Sequence, residues 1–315
     1  MTVGPGKLVV VAGPTASGKS ALAVALALRY RGEIISADSM QVYRGLDLGT
    51  AKPGPREREL VPHHLIDVVN LDAQFSVAAY QKMAWDAITG VQQRGCLPFL
   101  VGGTLLYVRA VVDAYALPSC PPDPGLRAEL WQQAQDLGRE WLHARLAAVD
   151  PVTAGRIHPN DAKRVIRALE VYHTTGLPRS AQEGVTARPP FDAVFLGLNL
   201  PRPQLYRAID KRVDTMVDAG LAKEVAGLIA AGYGPHLYRL GALGYRELAD
   251  YHYGLSTLAE AVTLIKRNTR RYAKRQLTWL RAERRIKLVE VGENRAPEDI
   301  VADASKVLQE NGVEA

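Results

Sequence analysis

Residues 13–20 read Gly13-Pro14-Thr15-Ala16-Ser17-Gly18-Lys19-Ser20, a complete G-x-x-x-x-G-K-[ST] run. Such a turn works only where a strand hands over to a helix, and both flanks are present. Lys7 to Ala12 (KLVVVA) is a short apolar, β-branched run of the kind buried in parallel sheets. Ser20 to Tyr30 carries Leu22, Leu26 and Tyr30 at helical spacing. The loop therefore aims backbone N–H groups at an anion, and the helix N-terminus adds its dipole. Lys19 reaches a terminal phosphate in this arrangement, and the Ser20 hydroxyl ligates Mg²⁺. The pattern specifies a phosphate chain with Mg²⁺, but neither the molecule that carries it nor whether a phosphoryl group moves.

Further apolar runs alternate with helical patterns. Glu33 to Ala37 reads as a strand followed by Asp38-Ser39. Residues 44–62 read as a loop, His64 to Val68 as a short apolar run and Ser76 to Val91 as a helix. Leu97 to Val101 is a strand ending in Gly102-Gly103-Thr104. Strand–helix alternation predicts a doubly wound parallel α/β sheet. The pattern changes at the proline-dense stretch 118–124. Helical patterns over Leu126–Val149 and Asp161–Thr174 follow with no strand between them, and Pro189-Pro190 closes the stretch. A strand returns at Ala193–Leu198, and the remainder reads as helical: Gln204–Ala219, Leu221–Ala231, Tyr245–Tyr251 and Thr257–Arg285. The expected organisation is an α/β core of residues 1–114 and 191–315 with helical C-terminal segments, interrupted by a helical insertion at 115–190.

In an open parallel sheet, ligands sit beyond the strand C-terminal ends. Asp38 then lies near the phosphate loop, as a water-mediated Mg²⁺ ligand, as a general base, or simply as a turn aspartate. Thr104 follows two glycines on the same side, a hydrogen-bond donor to a ligand or a chance residue of a tight turn. Arg212 lies on the helix whose buried stripe is Leu205, Ile209, Val213 and Met216; a phosphate partner and a solvated face fit its spacing equally.

Charge narrows the partner. The chain of 315 residues carries +6, yet residues 266–287 alone hold ten Lys/Arg against one Glu. Lys266, Arg270 and Lys274 repeat at helical spacing, with Arg267, Arg271 and Arg275 beside them and Gln276, Thr278 and Trp279 interleaved. A stripe without interspersed acids predicts phosphate-backbone binding. Lys163, Arg164 and Arg167 make a second basic face opposite the apolar stripe Val165, Ile166, Leu169 and Tyr172, with Asn160-Asp161 as the helix cap. Other classes recede. No apolar run approaches the ~20 residues of a membrane span. The N-terminus enters the first strand too early for a signal peptide, and Cys96 and Cys120 suit a reducing cytoplasm rather than a disulfide or zinc framework.

Seven segments together resemble the tRNA dimethylallyltransferase (tRNA isopentenyltransferase) family of bacterial type: GPTASGKS at 13–20, DSMQVYRGLDLGTAKP at 38–53, PHHLID at 62–67, GGTLLY at 102–107, IHPNDAKRVIRALEVY at 157–172, GALGYRE at 241–247 and KRQLTWLR at 274–281. The resemblance covers nearly the whole chain. It implies a P-loop NTPase-like fold and transfer of a dimethylallyl group from dimethylallyl diphosphate to N6 of the adenosine 3′-adjacent to the anticodon (position 37), in tRNAs reading UNN codons. It implies that Gly13–Ser20 hold the isoprenoid diphosphate with Mg²⁺ rather than ATP, and that Asp38 is the general base. Thr104 would meet the bridging oxygen of the leaving diphosphate, which Arg212 and Lys19 would neutralise.

By the same resemblance the tRNA anticodon arm would meet Asp38, Ser39, Met40 and Gln41, Thr104, Arg127, and Lys163, Arg164, Val165, Ile166 and Arg167. It would also meet Gly241, Ala242, Leu243, Gly244, Tyr245 and Arg246, and Lys274, Arg275, Gln276, Trp279 and Arg281. Ser20 stands where Thr is frequent, and Leu105 where Gly is common. A monomer acting in the cytoplasm is expected. Chemistry on a base requires it to leave its stack, so the adenosine is expected to flip into a channel between core and insertion. Three rivals share parts of the pattern. A small-molecule kinase leaves the basic helix unexplained, a transferase acting on free adenine nucleotides leaves the insertion unexplained, and a non-catalytic RNA-binding module leaves Asp38 and the loop unexplained.

Overall fold

The computed structural model describes residues 6–115, 117, 120–182, 191–292 and 295–314. Pro118-Ser119 and Pro189-Pro190 of the expected chain breaks lie outside these residues. In chain order the elements are β1 (Gly6–Ala12), α1 (Lys19–Arg29), β2 (Gly32–Ser36), α2 (Pro55–Leu60), β3 (His63–His64), α3 (Val77–Gln93), β4 (Leu97–Gly102), α4 (Leu105–Val112), α5 (Pro124–Asp136), α6 (Arg139–Val149), α7 (Pro151–Ala154), α8 (Ala162–Thr175), α9 (Arg179–Gln182), β5 (Phe191–Asn199), α10 (Arg202–Asp218), α11 (Leu221–Ala230), α12 (Gly234–Leu240), α13 (Tyr245–His252), α14 (Leu258–Ala282), β6 (Ile286–Glu290) and α15 (Pro297–Glu310). They divide into two compact units, Met1–Val112 with Pro189–Ala315, and Asp113–Arg188.

In the first unit six parallel strands form one sheet in the order β3-β2-β4-β1-β5-β6. Successive side chains of a strand point to opposite faces, so β1 feeds two cores. Leu8 and Val10 join Ile35, Leu100, Phe195 and the α3–α4 side chains Tyr80, Ile88 and Val108. Val9 and Val11 join Phe99, Leu196, the α1 residues Leu22 and Leu26, and Ala304 and Leu308 of α15. Both faces are covered, which is why the strands read as unbroken apolar runs. The doubly wound α/β sheet expected from the alternation is therefore present. Its register brings three strand ends level: Ala12 pairs with Gly102, and Ser36 with Val101. The loop after β1, Asp38 after β2 and Thr104 after β4 consequently open on one edge.

Several expected elements differ. Within the expected loop 44–62, Pro55 starts the short helix α2, with Glu57 reaching back to the Gly54 N–H. The apolar run 64–68 pairs only through His63–His64, because Leu65 (φ 62°) and Asp67 (φ 58°) leave the extended region. The expected C-terminal helix ends at Ala282. Beyond it β6 adds an edge strand beside β5, with Lys287, Leu288 and Glu290 exposed. Exposure on an edge removes the apolar run that marks an inner strand.

The second unit is helical. The helix expected over 126–149 is two helices, broken at Gly138 (φ 92°). Leu130, Leu142, Leu146, Val165, Ile166 and Leu169 form its core. Asp123, Asp150 and Asp161 cap α5, α7 and α8 by accepting from Leu126, Thr153 and Arg164 N–H groups.

Candidate active site

α1 starts differently from the helices that open on a capping side chain. Ser76, Asp123, Asp161 and Thr257 cap α3, α5, α8 and α14 through their side chains, whereas the α1 cap is Gly18, at φ 88° and with no side chain to offer. No acid stands in the first turn of α1 either. Its leading N–H groups are left for an outside acceptor. Ala16 also adopts a left-handed φ of 63°, a strained choice for a residue with a Cβ. The Ser17 hydroxyl is buried without a partner among the described residues. Strain plus an unsatisfied polar atom in one turn is the mark of a loop shaped for a ligand.

A cavity of about 330 Å³ opens over this loop, lined by Lys19, Ser20, Asp38, Arg212, Tyr272 and Gln276 among others. Two cations dominate it. Lys19 Nζ donates to the Pro14 carbonyl (3.3 Å), and its single further influence of opposite sign is Asp38. Burial, then the Arg212 charge, pull the Lys19 ammonium down to about 8. Burial also holds Arg212 below its ordinary value, with Asp38 acting the other way. Arg212 makes one long hydrogen bond, to the Thr50 carbonyl at 3.4 Å. Two desolvated cations with no carboxylate in salt-bridge reach among the described residues form a site that an anion stabilises. The spacing of α10 left Arg212 undecided; the fold puts it on this cavity, beside Ile209, Val213 and Met216 of the same helix face.

Asp38 is half-buried across from them. Its Oδ1 accepts from the Met40 N–H (2.8 Å) and the Gln41 N–H (3.4 Å), an Asx turn that fixes the carboxylate and leaves Oδ2 without a protein partner among the described residues. Thr104 stands beside it. Its Oγ1 accepts from the Ser39 N–H (3.0 Å), its hydroxyl lies 3.2 Å from Ser39 Oγ, and its own N–H donates to the Ala37 carbonyl. Gly102 permits this approach, since a Cβ there would fall 2.1 Å from the Ala37 oxygen. Lys19, Asp38, Thr104 and Arg212, four residues from four segments, thus share one neighbourhood.

The loop 44–53 supplies a wall. Lys52, nearly fully buried, bridges the Tyr43 carbonyl, Asp47 and Asp67. Glu224 accepts from the Asp47 and Leu48 N–H groups, and from the Tyr245 hydroxyl, which in turn accepts from the Gly49 N–H. Tyr272 and His63 are among the lining residues that escaped the sequence reading. Tyr272 lies one α14 turn before Gln276, a spacing visible in KRNTRRYAKRQ. His63 reaches the cavity from β3 and is pushed down by burial.

Several residues expected to meet RNA have their side chains engaged inside the fold. Val165 and Ile166 are core residues of the helical unit, and Ala242 and Tyr245 are buried in the core beside α13. Gln276 is 4% exposed and hydrogen-bonded at both ends of its amide. Trp279 packs half-buried on the α3–α4 side of the sheet. Arg127 and Arg167 stay partly exposed, but both pair with the fully buried Glu170. The stripe on α14 also has acids after all, supplied by the neighbouring helix: Lys266 pairs with Asp214 and Arg270 with Asp210. Lys163, Arg164, Arg246, Lys274, Arg275 and Arg281 remain exposed cations, and Ser39, Met40, Gln41, Gly241, Leu243 and Gly244 line the cavity.

The family model for IPP transferases matches residues 41–283. The tRNA dimethylallyltransferase of Desulforudis audaxviator is 51% identical over 298 residues, 94% of this chain and 96% of the relative. The chain belongs to the tRNA dimethylallyltransferase family. A relative of the same name from Symbiobacterium thermophilum is 53% identical over 93% of each chain. The tRNA isopentenylpyrophosphate transferase of Bacillus halodurans superposes with a TM-score of 0.71 at 42% identity, over 97% of each chain. A eukaryotic dimethylallyltransferase acting on tRNA superposes at 0.79 with 26% identity, over 98% of this chain and 81% of the other. Membership makes the chain a prenyl-transferring enzyme, and among its described residues no helix is long and apolar enough to cross a membrane.

Proposed function

We propose that this tRNA dimethylallyltransferase moves the dimethylallyl group of dimethylallyl diphosphate onto N6 of the adenosine at position 37, in tRNAs that read UNN codons. The observation carrying the chemistry is that two desolvated cations, Lys19 and Arg212, line one cavity with Asp38, whose Oδ2 has no protein partner among the described residues. A C–N bond forms between N6 and the allylic C1 as the C1–O bond to diphosphate breaks. The diphosphate leaves onto the loop 13–20, Lys19 and Arg212, which stabilise the charge that develops on it. The N6 proton passes to Asp38 Oδ2. Thr104, fixed by the Ser39 N–H, faces the bridging oxygen. Ile209, Val213, Met216 and Ile265 give the same cavity an apolar wall suited to a five-carbon chain.

Ser20 and Asp38 offer the cavity hard oxygen donors, the class that suits Mg²⁺, which typically takes one or two protein ligands plus phosphate oxygens and water. When bound, Mg²⁺ would be held by Ser20 and the diphosphate and would supply further neutralisation of the leaving group. Recognition of the anticodon arm falls to the exposed Lys163, Arg164, Arg246, Lys274, Arg275 and Arg281, with Arg127 and Arg167 presented by Glu170.

The test is incubation of the protein and Mg²⁺ with radiolabelled dimethylallyl diphosphate, an unmodified tRNA bearing adenosines 3′ to its anticodon, and free AMP. Label in tRNA alone, mapped to position 37, supports the proposal. Label in AMP points to a nucleotide-dependent transferase, and label in neither refutes prenyl transfer.

A further inference from the structure

The buried face of α14 near its C-terminus is Ala273, Gln276, Leu277 and Leu280, apolar except for Gln276. A buried amide is costly unless both ends are hydrogen-bonded. Gln276 Oε1 accepts from the Thr15 N–H at 2.9 Å, inside the loop 13–20. Its Nε2 donates to the Gly103 carbonyl at 2.9 Å, in the turn that carries Thr104. The orientation of the amide follows from its partners, since a backbone N–H can only donate and a carbonyl only accept. Gly103 is shaped by the same contact: a Cβ there would lie 2.1 Å from Gln276 Nε2.

We infer that Gln276 is a positioning residue that fixes the spacing between the diphosphate loop and the Thr104 turn, and through it the setting of Asp38, rather than an RNA contact. The inference rests on the reading of loop 13–20 as the diphosphate site. One side chain spans 261 residues of sequence to Thr15 and 173 to Gly103. Beyond Gly103 the relay continues through the Thr104 N–H to the Ala37 carbonyl and through Thr104 Oγ1 to the Ser39 N–H, flanking Asp38. The side that releases diphosphate and the side that takes the proton are therefore held at a set distance by one amide. No common side chain replaces it. Glutamate keeps the acceptor but, when ionised, loses the donor, leucine loses both, and asparagine is shorter by one methylene. The Thr15 N–H, already bonded, is not a phosphate donor in this geometry; it anchors the loop.

The test compares Gln276→Leu, Gln276→Glu and Gly103→Ala with the unmodified full chain, measuring kcat, KM for dimethylallyl diphosphate, KM for tRNA and the thermal midpoint. Loss of two hydrogen bonds predicts a fall of about tenfold or more in kcat/KM for dimethylallyl diphosphate, with KM for tRNA within about twofold. Gln276→Glu keeps the shape and serves if Gln276→Leu does not fold. Its activity relative to unmodified protein rises as the pH falls, because a protonated carboxyl regains the donor to Gly103; a purely structural role has no such signature. Gly103→Ala gives the same KM split. A defect confined to KM for tRNA, or kinetics unchanged by Gln276→Leu and Gln276→Glu, overturns the inference. Lys19→Ala separates the two layers. Dimethylallyl diphosphate affinity unchanged by Lys19→Ala refutes the diphosphate site and the inference with it. Affinity that falls for Lys19→Ala, with kinetics indifferent to Gln276, refutes the inference alone.

Discussion

Dimethylallyl diphosphate binding weakens as the pH rises past about 8, because the bound state requires a charged Lys19. In the ligand-free protein, burial and Arg212 bring the Lys19 ammonium from 10.5 down to about 8. A bound diphosphate supplies the missing countercharge and restores the proton's hold, so at higher pH binding must draw a proton from solution. A phosphate's second ionisation lies at ~6, so above pH ~7.5 the ligand itself no longer titrates. The affinity then falls by a factor of about 1 + 10^(pH − 8), roughly tenfold at pH 9 and thirtyfold at pH 9.5, where tenfold is about 1.4 kcal/mol.

The same shift has the opposite sign for stability. Lys19 holds its proton less tightly folded than unfolded, so between about 8 and 10.5 the unfolded chain binds more protons, and ligand-free stability rises with pH through this group. Weaker binding beside unchanged or greater stability separates the effect from alkaline unfolding. Calorimetric titration at pH ~7.5, 8.5 and 9.5, in buffers of different ionisation heat, reads both affinity and protons; uptake at pH 8.5 is about 0.75. Arg212→Gln removes a neighbouring positive charge and moves the fall to higher pH. Affinity that stays flat to pH 9.5 with no proton uptake refutes the assignment of Lys19 as a diphosphate ligand.

Three further outcomes follow from the geometry. Asp38→Asn keeps an acceptor for the Met40 and Gln41 N–H groups but removes the base, so single-turnover transfer falls by about 10²–10⁴ while tRNA affinity in filter binding stays within a few-fold; a large affinity loss makes Asp38 a binding residue. Glu170→Gln leaves Arg127 and Arg167 without their buried carboxylate and destabilises the helical unit by about 2–3 kcal/mol, read as a lower thermal midpoint with weaker, less salt-dependent tRNA binding. Gly49→Ala drives a Cβ to 2.4 Å from the Tyr245 ring, displaces the Thr50 carbonyl that anchors Arg212, and lowers kcat/KM by about 10-fold or more without unfolding the protein in circular dichroism.

What the sequence disclosed was local. The run KLVVVA, the glycine turn and the helix behind it are consecutive, so period and turn chemistry were enough to place the loop, and the strand-end rule put Asp38 and Thr104 beside it. Relations across the fold were silent. Glu170 meets Arg127 from 43 residues away, and Asp210 and Asp214 answer α14 from α10, so a stripe that reads as unpaired cations is partly neutralised. Gln276 sits among Lys274, Arg275 and Arg281 in sequence, which suggested an RNA contact; helical geometry turns those cations outward and Gln276 inward. Gly138 and β6 were missed for a related reason. A single glycine does not announce a helix break, and an exposed edge strand needs no apolar run.

The sheet order has a consequence for how the chain is made. β1 precedes the other strands of its sheet, yet one of its two neighbours is β5 (Phe191–Asn199), and the α1 side chains it packs on share their core with α15 (Pro297–Glu310). Lys7 even donates to the Asn311 carbonyl. The unit Asp113–Arg188 has its own core from contacts local in sequence, so it completes itself while β1 still waits for β5. During translation the loop 13–20 thus emerges before β5 and is assembled late. Truncations before Leu308 leave α1 uncovered and a nascent sheet with exposed apolar strands, the form that chaperones must shelter.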